Sequence, residues 1–447
     1  MKTMLQRPIA LVTGGCLVAA AAGGQSSYAT PETFITIAGT AKLSGSADGT
    51  NGGAQFTWPE GVAVDAHGNV FVADDFANTI RKAAPAGTNW VVTTIAGTAG
   101  NYGSANGTNG VAQFDEPVAL AVDIHSNLFI ADFGNNIIRK ITPLGTNWVV
   151  KTIAGTANSV GGSADGTNGF AQFNGPTALA VDTHSNLFVT DSFNNTLRKI
   201  SPVGTNWVVT TIAGTASSVG GSADGTNGAA QFDQPSGVAL DSSGNLFLTD
   251  TINSTIRRIT LAGTNWVVTT IAGRTESSGS TDGTNLVAQF DEPSGITVDS
   301  ADNLYVADTF NDTIRKVSPT GANWVTTTLA GAPGQPGSSD GTGANAHFNS
   351  PNGLTVDGAG NLYVADTGNG TLRKGQLVTV PNLTISFTVA RSVLVSWPNL
   401  GSYTLQTNQN LAAATWAGYG GSITTASGSN QVTLPSPSGN LFFRLTH

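Results

Sequence analysis

A chain of 447 residues holds enough apolar material for a large core. Only 11% of its residues are charged, the formal net charge is −9, and the 19 Lys and Arg are dispersed, which excludes a nucleic-acid partner that needs clustered positive charge. The 56 glycines, with abundant Thr, Asn and Ser, point to an all-β protein of short strands and tight turns.

The first thirty residues have a character of their own. Lys2 and Arg7 precede an apolar run over 9–22, and small residues with SYA at 27–29 follow: the charged, apolar and cleavable parts of a secretory signal. We place the cut after Ala29, so that 1–29 is a signal peptide and the mature chain is secreted or held at the cell surface. The competing reading is a membrane anchor, but the run is shorter than the ~20 residues a spanning helix needs. The single cysteine, Cys16, lies in this leader, and its context TGGC lacks the aliphatic residue expected three places before a lipid-modified cysteine, which leaves lipidation open. The mature chain then contains no cysteine and no disulfide.

FITIAGT at 34–40 comes next, and it is the ending of a repeat that has not yet begun. Its equivalents close five later units: TTIAGT at 93–98 and 210–215, KTIAGT at 151–156, TTIAGR at 269–274 and TTLAGA at 327–332. Each unit opens on AQF, at 54–56, 112–114, 171–173, 230–232 and 288–290, with AHF at 346–348, which makes six copies at a period of 58 or 59. A proline follows three residues after each Phe. Then come an apolar run ending in Asp (GVAVD, 61–65), a turn, a second run ending in Asp (VFVAD, 70–74), a TIRK-like segment, a GTNW turn and WVVTTIAG. This predicts four strands per unit, bounded by Gly, Asn, Asp and Pro.

In NLFLTD at 245–250 the apolar side chains are consecutive, so both faces of that strand must be covered. Six four-stranded blades, each sandwiched between two others in a β-propeller, satisfy this. The sixth unit, however, has no WVVTTIAG after Lys374. FITIAG at 34–39 supplies that strand, so the beginning of the chain closes the ring; the rival is LVTV at 377–380.

GVALDSSGNLFLTDTINSTIRRI (237–259), GITVDSADNLYVADTFNDTIRKV (295–317) and GLTVDGAGNLYVADTGNGTLRKG (353–375) resemble NHL repeats, over about 340 residues of the chain. One departure is Ala77, where the other copies have Asn135, Asn194, Asn253, Asn311 and Asn369. The resemblance implies a six-bladed propeller over 34–374, used mainly as an interaction platform. Related six-bladed lactonases and amidating lyases imply the alternative, a metal-dependent hydrolase or lyase.

An active site needs each group once or twice, so a group found in every blade serves the blade. Two Asp series, Asp65 to Asp357 and Asp74 to Asp366, end the first and second strands; they are expected to accept turn N–H groups and to pair with the series Arg81 to Arg373. A cation-binding ring of these carboxylates is the lesser alternative. His67, His125 and His184 share one turn position in three blades and are weak candidates for zinc, since blades four to six have Ser243, Ala301 and Ala359 there. Asp48, Asp165 and Asp224 in the SADGTNG loops are weak candidates for calcium, their spacing being unlike an EF-hand and typical of turns. No metal and no cofactor is expected, and no nucleophile with a base is seen. The symmetry breakers in the loops between blades, Trp58, Glu60, Tyr102, Phe170, Arg274, Glu276 and Glu292, are the candidate binding residues.

After Lys374 the repeat stops. Short apolar runs over 381–447 predict a small β-sandwich-like module, with Trp397 and Trp416 as core residues or carbohydrate contacts. The whole is expected to be a monomeric, non-catalytic scaffold for a protein, peptide or glycan, with no membrane span in the mature chain.

Overall fold

The computed structural model describes residues 10–13, 16–18, 32–157, 161–217, 219–275, 277–377, 384–387, 392–398, 404–408, 417–426, 429–434 and 441–446. It has two compact units, Ala29–Leu377, and Val378–His447 together with Met1–Tyr28.

The first unit is a six-bladed propeller. In the second blade the antiparallel strands are Pro117–Val122, Leu128–Asp132, Ile137–Leu144 and Asn147–Ala154, in chain order from the axis outward; four other blades repeat this order, and the sixth takes its fourth strand from Glu32–Ala38. Each sheet has one strand more than the four expected: a two-residue Gly-Thr piece of the preceding loop, such as Gly107–Thr108, pairs with the outermost strand. The innermost strand Pro59–Val64 touches both Pro117–Val122 and Pro351–Val356, which closes the ring at six.

Apolar periodicity decides where the core lies. All five residues of Leu128–Asp132 are buried, because each blade packs another blade on either face. Six core clusters result, one per blade interface; that between the first two blades gathers Phe71, Ile80 and Ile95 against Phe114, Leu128 and Ile130. Each such aliphatic or aromatic side chain contributes roughly 1.5–3 kcal/mol on burial.

The ring closes where the sequence predicts. Glu32–Ala38 pairs antiparallel with Thr371–Leu377 on one side and with Gly341–Thr342 on the other. Phe34 and Ile37 are buried, and Phe34 meets Phe348 edge to face at 5.2 Å. Ile35 is exposed on the wet side, as Thr93 is in the first blade. Gly39, at φ +85°, shows why the strand ends in IAG: a Cβ there would lie 2.5 Å from the Gly370 carbonyl oxygen. The Phe34 ring fills space left by Gly375, which stands where the other blades carry Ala, Ile or Val.

The second unit has two sheets around one core. Val393, Val395, Trp397 and Val432 come from one sheet, Leu405 and Phe443 from the other. Trp397 is buried there; Trp416 lies outside the described residues. Ala10–Thr13 and Cys16–Val18 form a hairpin whose first strand pairs with Leu441–Thr446. Among the described residues no helix is long and apolar enough to cross a membrane.

Candidate functional site at the channel mouth

The repeated charges serve the blades. Arg81, Arg139, Arg198, Arg257, Arg315 and Arg373 are fully buried, and Nη1 of each lies 2.5–2.9 Å from the Asp that ends the second strand. Nη2 of Arg81 donates to Asp48 and to the Ala47 carbonyl, and its guanidinium lies 5.3 Å from the Phe56 ring of AQF. One guanidinium therefore ties the loop, the AQF segment and the second strand together. Asp165 and Asp224 are held in the same way by Arg198 and Arg257, and Asp48 also accepts the Thr94 hydroxyl. The first Asp series does not meet Arg: Asp65 accepts the backbone N–H groups of His67 and Asn69, an Asx turn. His67, His125 and His184 sit in these turns, at the end of the inner strands away from Glu60. Among the described residues no group of three or more His, Cys, Asp or Glu is arranged to hold a metal ion.

At the other end of the inner strands the blades diverge. The residue after the proline is Glu60, Val118, Thr177, Ser236, Ser294 and Asn352 in turn, and the residue after the buried Asp is Asp75, Phe133, Ser192, Thr251, Thr309 and Thr367. In the third to fifth blades these positions form hydroxyl pairs, Thr177 with Ser192, Ser236 with Thr251 at 2.5 Å and Ser294 with Thr309 at 2.6 Å. Ser192, Thr251, Thr309 and Thr367 also donate to the carbonyls of Pro235, Pro293, Pro351 and Pro59, which links each blade to the next.

The first two blades break this pattern. Asp75 replaces the hydroxyl, is only 4% exposed, and has an Oδ1 with no hydrogen-bond partner. With Trp58, Glu60, Phe76, Glu116 and Phe133 it lines one side of a cavity of about 310 Å³ whose far side carries Thr177, Ser236 and Ser294. Trp58 stacks on Phe76, centroids 5.5 Å apart and planes at 19°, and its Nε1 donates to Glu60 Oε1 at 3.1 Å. No basic side chain lines the cavity. Burial pushes Glu60 up to about 7, opposed by the Trp58 hydrogen bond and reinforced by Glu116. Asp75 is pushed up to about 8 by burial, then by the charges of Glu60, Glu116, Asp74 and Asp115.

Comparison with known proteins agrees with this architecture. The model of the Teneurin NHL domain matches residues 43–259, and that of the NHL repeat matches 348–374. The chain belongs to the NHL-repeat propeller family. It is similar to NHL repeat-containing protein 2 of Bos taurus, 28% identical over 308 residues, which are 62% of this chain and 41% of that protein. Protein SUPPRESSOR OF QUENCHING 1, chloroplastic, of Arabidopsis thaliana is 27% identical over 286 residues, 62% of this chain and 26% of that one. The chain thus spans less than half the length of either relative. Among solved structures, a protein of unknown function from Bacteroides thetaiotaomicron superposes with a TM-score of 0.59 at 21% identity, covering 77% of this chain and 75% of that one. An auxiliary nutrient binding protein from Bacteroides ovatus gives 0.57 at 16%, covering 78% and 77%. At these identities the structural likeness shows the fold.

Set on the NHL blades, the loop residues singled out from sequence scatter. Trp58 and Glu60 share the cavity. Tyr102, 70% exposed, bridges to Phe114 within the loop before the second blade, and Phe170, 86% exposed, lies on the short 3-10 turn Asn168–Phe170. Arg274 is exposed, and Glu292, at φ 45°, holds the position of Trp58 in the fifth blade, its carboxyl raised by burial and by Asp291. Neither lines the cavity, and Glu276 lies outside the described residues. Asp75, Phe76, Glu116 and Phe133 escaped the sequence reading. Asp75 hides next to the repeated Asp74, and only a column of Asp, Phe, Ser, Thr, Thr, Thr down the six NHL repeats reveals it.

Proposed function

We propose that the chain is exported and acts as a non-catalytic binding scaffold, presenting the channel-mouth face of its propeller to a protein, peptide or glycan. The observation that carries this reading is the contrast between blades: the repeated Asp and Arg side chains are used within the scaffold, whereas Trp58, Glu60 and Asp75 depart from the repeat around one open cavity. The alternative of a metal-dependent hydrolase or lyase requires converging metal ligands. Screening the full chain against peptide and glycan arrays beside a Trp58→Ala variant tests the reading. A saturable ligand lost in the variant supports it; lactone or peptide turnover with a stoichiometric bound metal overturns it.

Export rests on the 1–29 leader and on the absence of cysteine after it. Cleavage after Ala29 removes the hairpin at Ala10–Thr13 and Cys16–Val18, leaving Leu441–Thr446 paired with Thr404–Asn408. N-terminal sequencing of protein from the secreted fraction tests this; a start at Thr30 supports it, and retention of Lys2 and Arg7 contradicts it.

A further inference from the structure

The channel-mouth cavity has a chemistry specific enough to name its ligand, and the argument rests on the scaffold reading above. We infer that the cavity binds a primary ammonium group, seated on Asp75 along the wall that carries Glu60 and Glu116, against the stacked Trp58 and Phe76.

Four observations converge on this class. First, Asp75 is a buried carboxyl with an unpartnered Oδ1 at a site where four other blades place a hydroxyl that donates to a neighbouring carbonyl. An acid is the costly choice there unless something else supplies a donor and a charge. Second, Glu60 and Glu116 line the same wall and no Lys or Arg does, so every titratable group of the wall is an acid. Third, the Trp58–Phe76 stack gives the wall an aromatic surface, which attracts cations through the ring quadrupole. Fourth, the carboxylates do not converge as metal ligands do, and about 310 Å³ is far more than an ion needs. An ammonium on a short carbon chain fits all four: one N–H reaches the unpartnered Asp75 carboxyl, the acids on the same wall favour its charge, and the methylene stem packs on the aromatic face and Val118. A quaternary ammonium would leave Asp75 without its donor. The fully occupied hydroxyl network of the third to fifth blades has no such need, which confines the site to one side of the channel.

Isothermal titration of the full chain with n-butylammonium and with Nα-acetyl-lysine amide, against the neutral isosteres 1-butanol and Nα-acetyl-norleucine amide, tests the inference. Both ammonium probes are expected to bind one to one, and the isosteres at least ~30-fold more weakly. Tighter binding of the lysine derivative identifies a lysine of a protein partner as the source, and tighter binding of the free amine a small molecule; either supports the inference. Asp75→Thr, which copies the fourth to sixth blades, should fold and weaken ammonium binding at least ~30-fold, as should Glu60→Gln to a smaller degree. Equal binding of the isosteres, unchanged affinity in Asp75→Thr with its fold verified by thermal unfolding, or no saturable heat up to ~10 mM probe would overturn it. If no ammonium binds but the arrays still yield a ligand lost in Trp58→Ala, the scaffold reading survives and this inference falls.

Discussion

Glu32 is the weak point of the ring seam, and its behaviour with pH can be worked out. In five blades the corresponding residue is a Trp (Trp90, Trp148, Trp207, Trp266, Trp324) packed edge to face on an aromatic of the adjoining blade at 5.6–6.0 Å. Glu32 takes that place in the closing strand and leaves Tyr305 without its indole. Glu32 is 0% exposed, and neither carboxyl oxygen has a hydrogen-bond partner. Burial pushes it up to about 8, with Lys316 opposing and Asp299 reinforcing. In the unfolded chain the carboxyl ionises at its ordinary value near 4.5, while the folded protein keeps its proton until about 8. Stability is therefore lost as pH rises through this window, at about 1.4 kcal/mol per pH unit, and the loss amounts to about 3 kcal/mol at pH 7. Glu32→Gln keeps the shape and removes the titration. Urea unfolding of both proteins, followed by circular dichroism at about pH 5 and pH 7, should show the advantage of the variant growing by about 2 to 3 kcal/mol between the two. Other titrating groups cancel in the difference. Parallel pH profiles for the two proteins would refute the reasoning.

Three further outcomes follow from the same packing. Gly375→Ala puts a methyl 2.6 Å from the Phe34 ring and should cost about 1–3 kcal/mol in urea unfolding, and a second change, Phe34→Val, should recover part of it. Arg198→Met leaves Asp191 buried without its ion pair and should cost about 3–5 kcal/mol by the same assay. Asp75→Thr replaces a buried carboxyl that lacks a partner with a hydroxyl able to donate to the next blade, and should stabilise the protein by about 2 kcal/mol at pH 7, less in acid, where Asp75 is protonated in either state.

Much of this fold was legible because a propeller repeats its physics. Consecutive apolar residues in the second strand implied two covered faces, and FITIAG implied the closing strand by matching the other blade endings. The two-residue Gly-Thr strands were hidden because they are too short to carry a period. The partners of Arg81 were half legible: Asp74 was expected, whereas Asp48 comes from a loop 33 residues earlier and needed coordinates. The site was least legible. Glu60 and Trp58 stood out as single departures, but Asp75 and Glu116 join them only because the turn after one strand and the loop before the next blade meet at the channel mouth.

The central claim is that function resides where the first blade departs from the repeat. A variant with Trp58→Gln, Glu60→Ser and Asp75→Thr gives that blade the residues found at Gln234, Ser236 and Thr251 of the fourth. Titration of this variant with the ammonium probe is the most direct measurement: the account predicts a folded propeller, at least as stable as the parent, that no longer binds, and undiminished binding would contradict it.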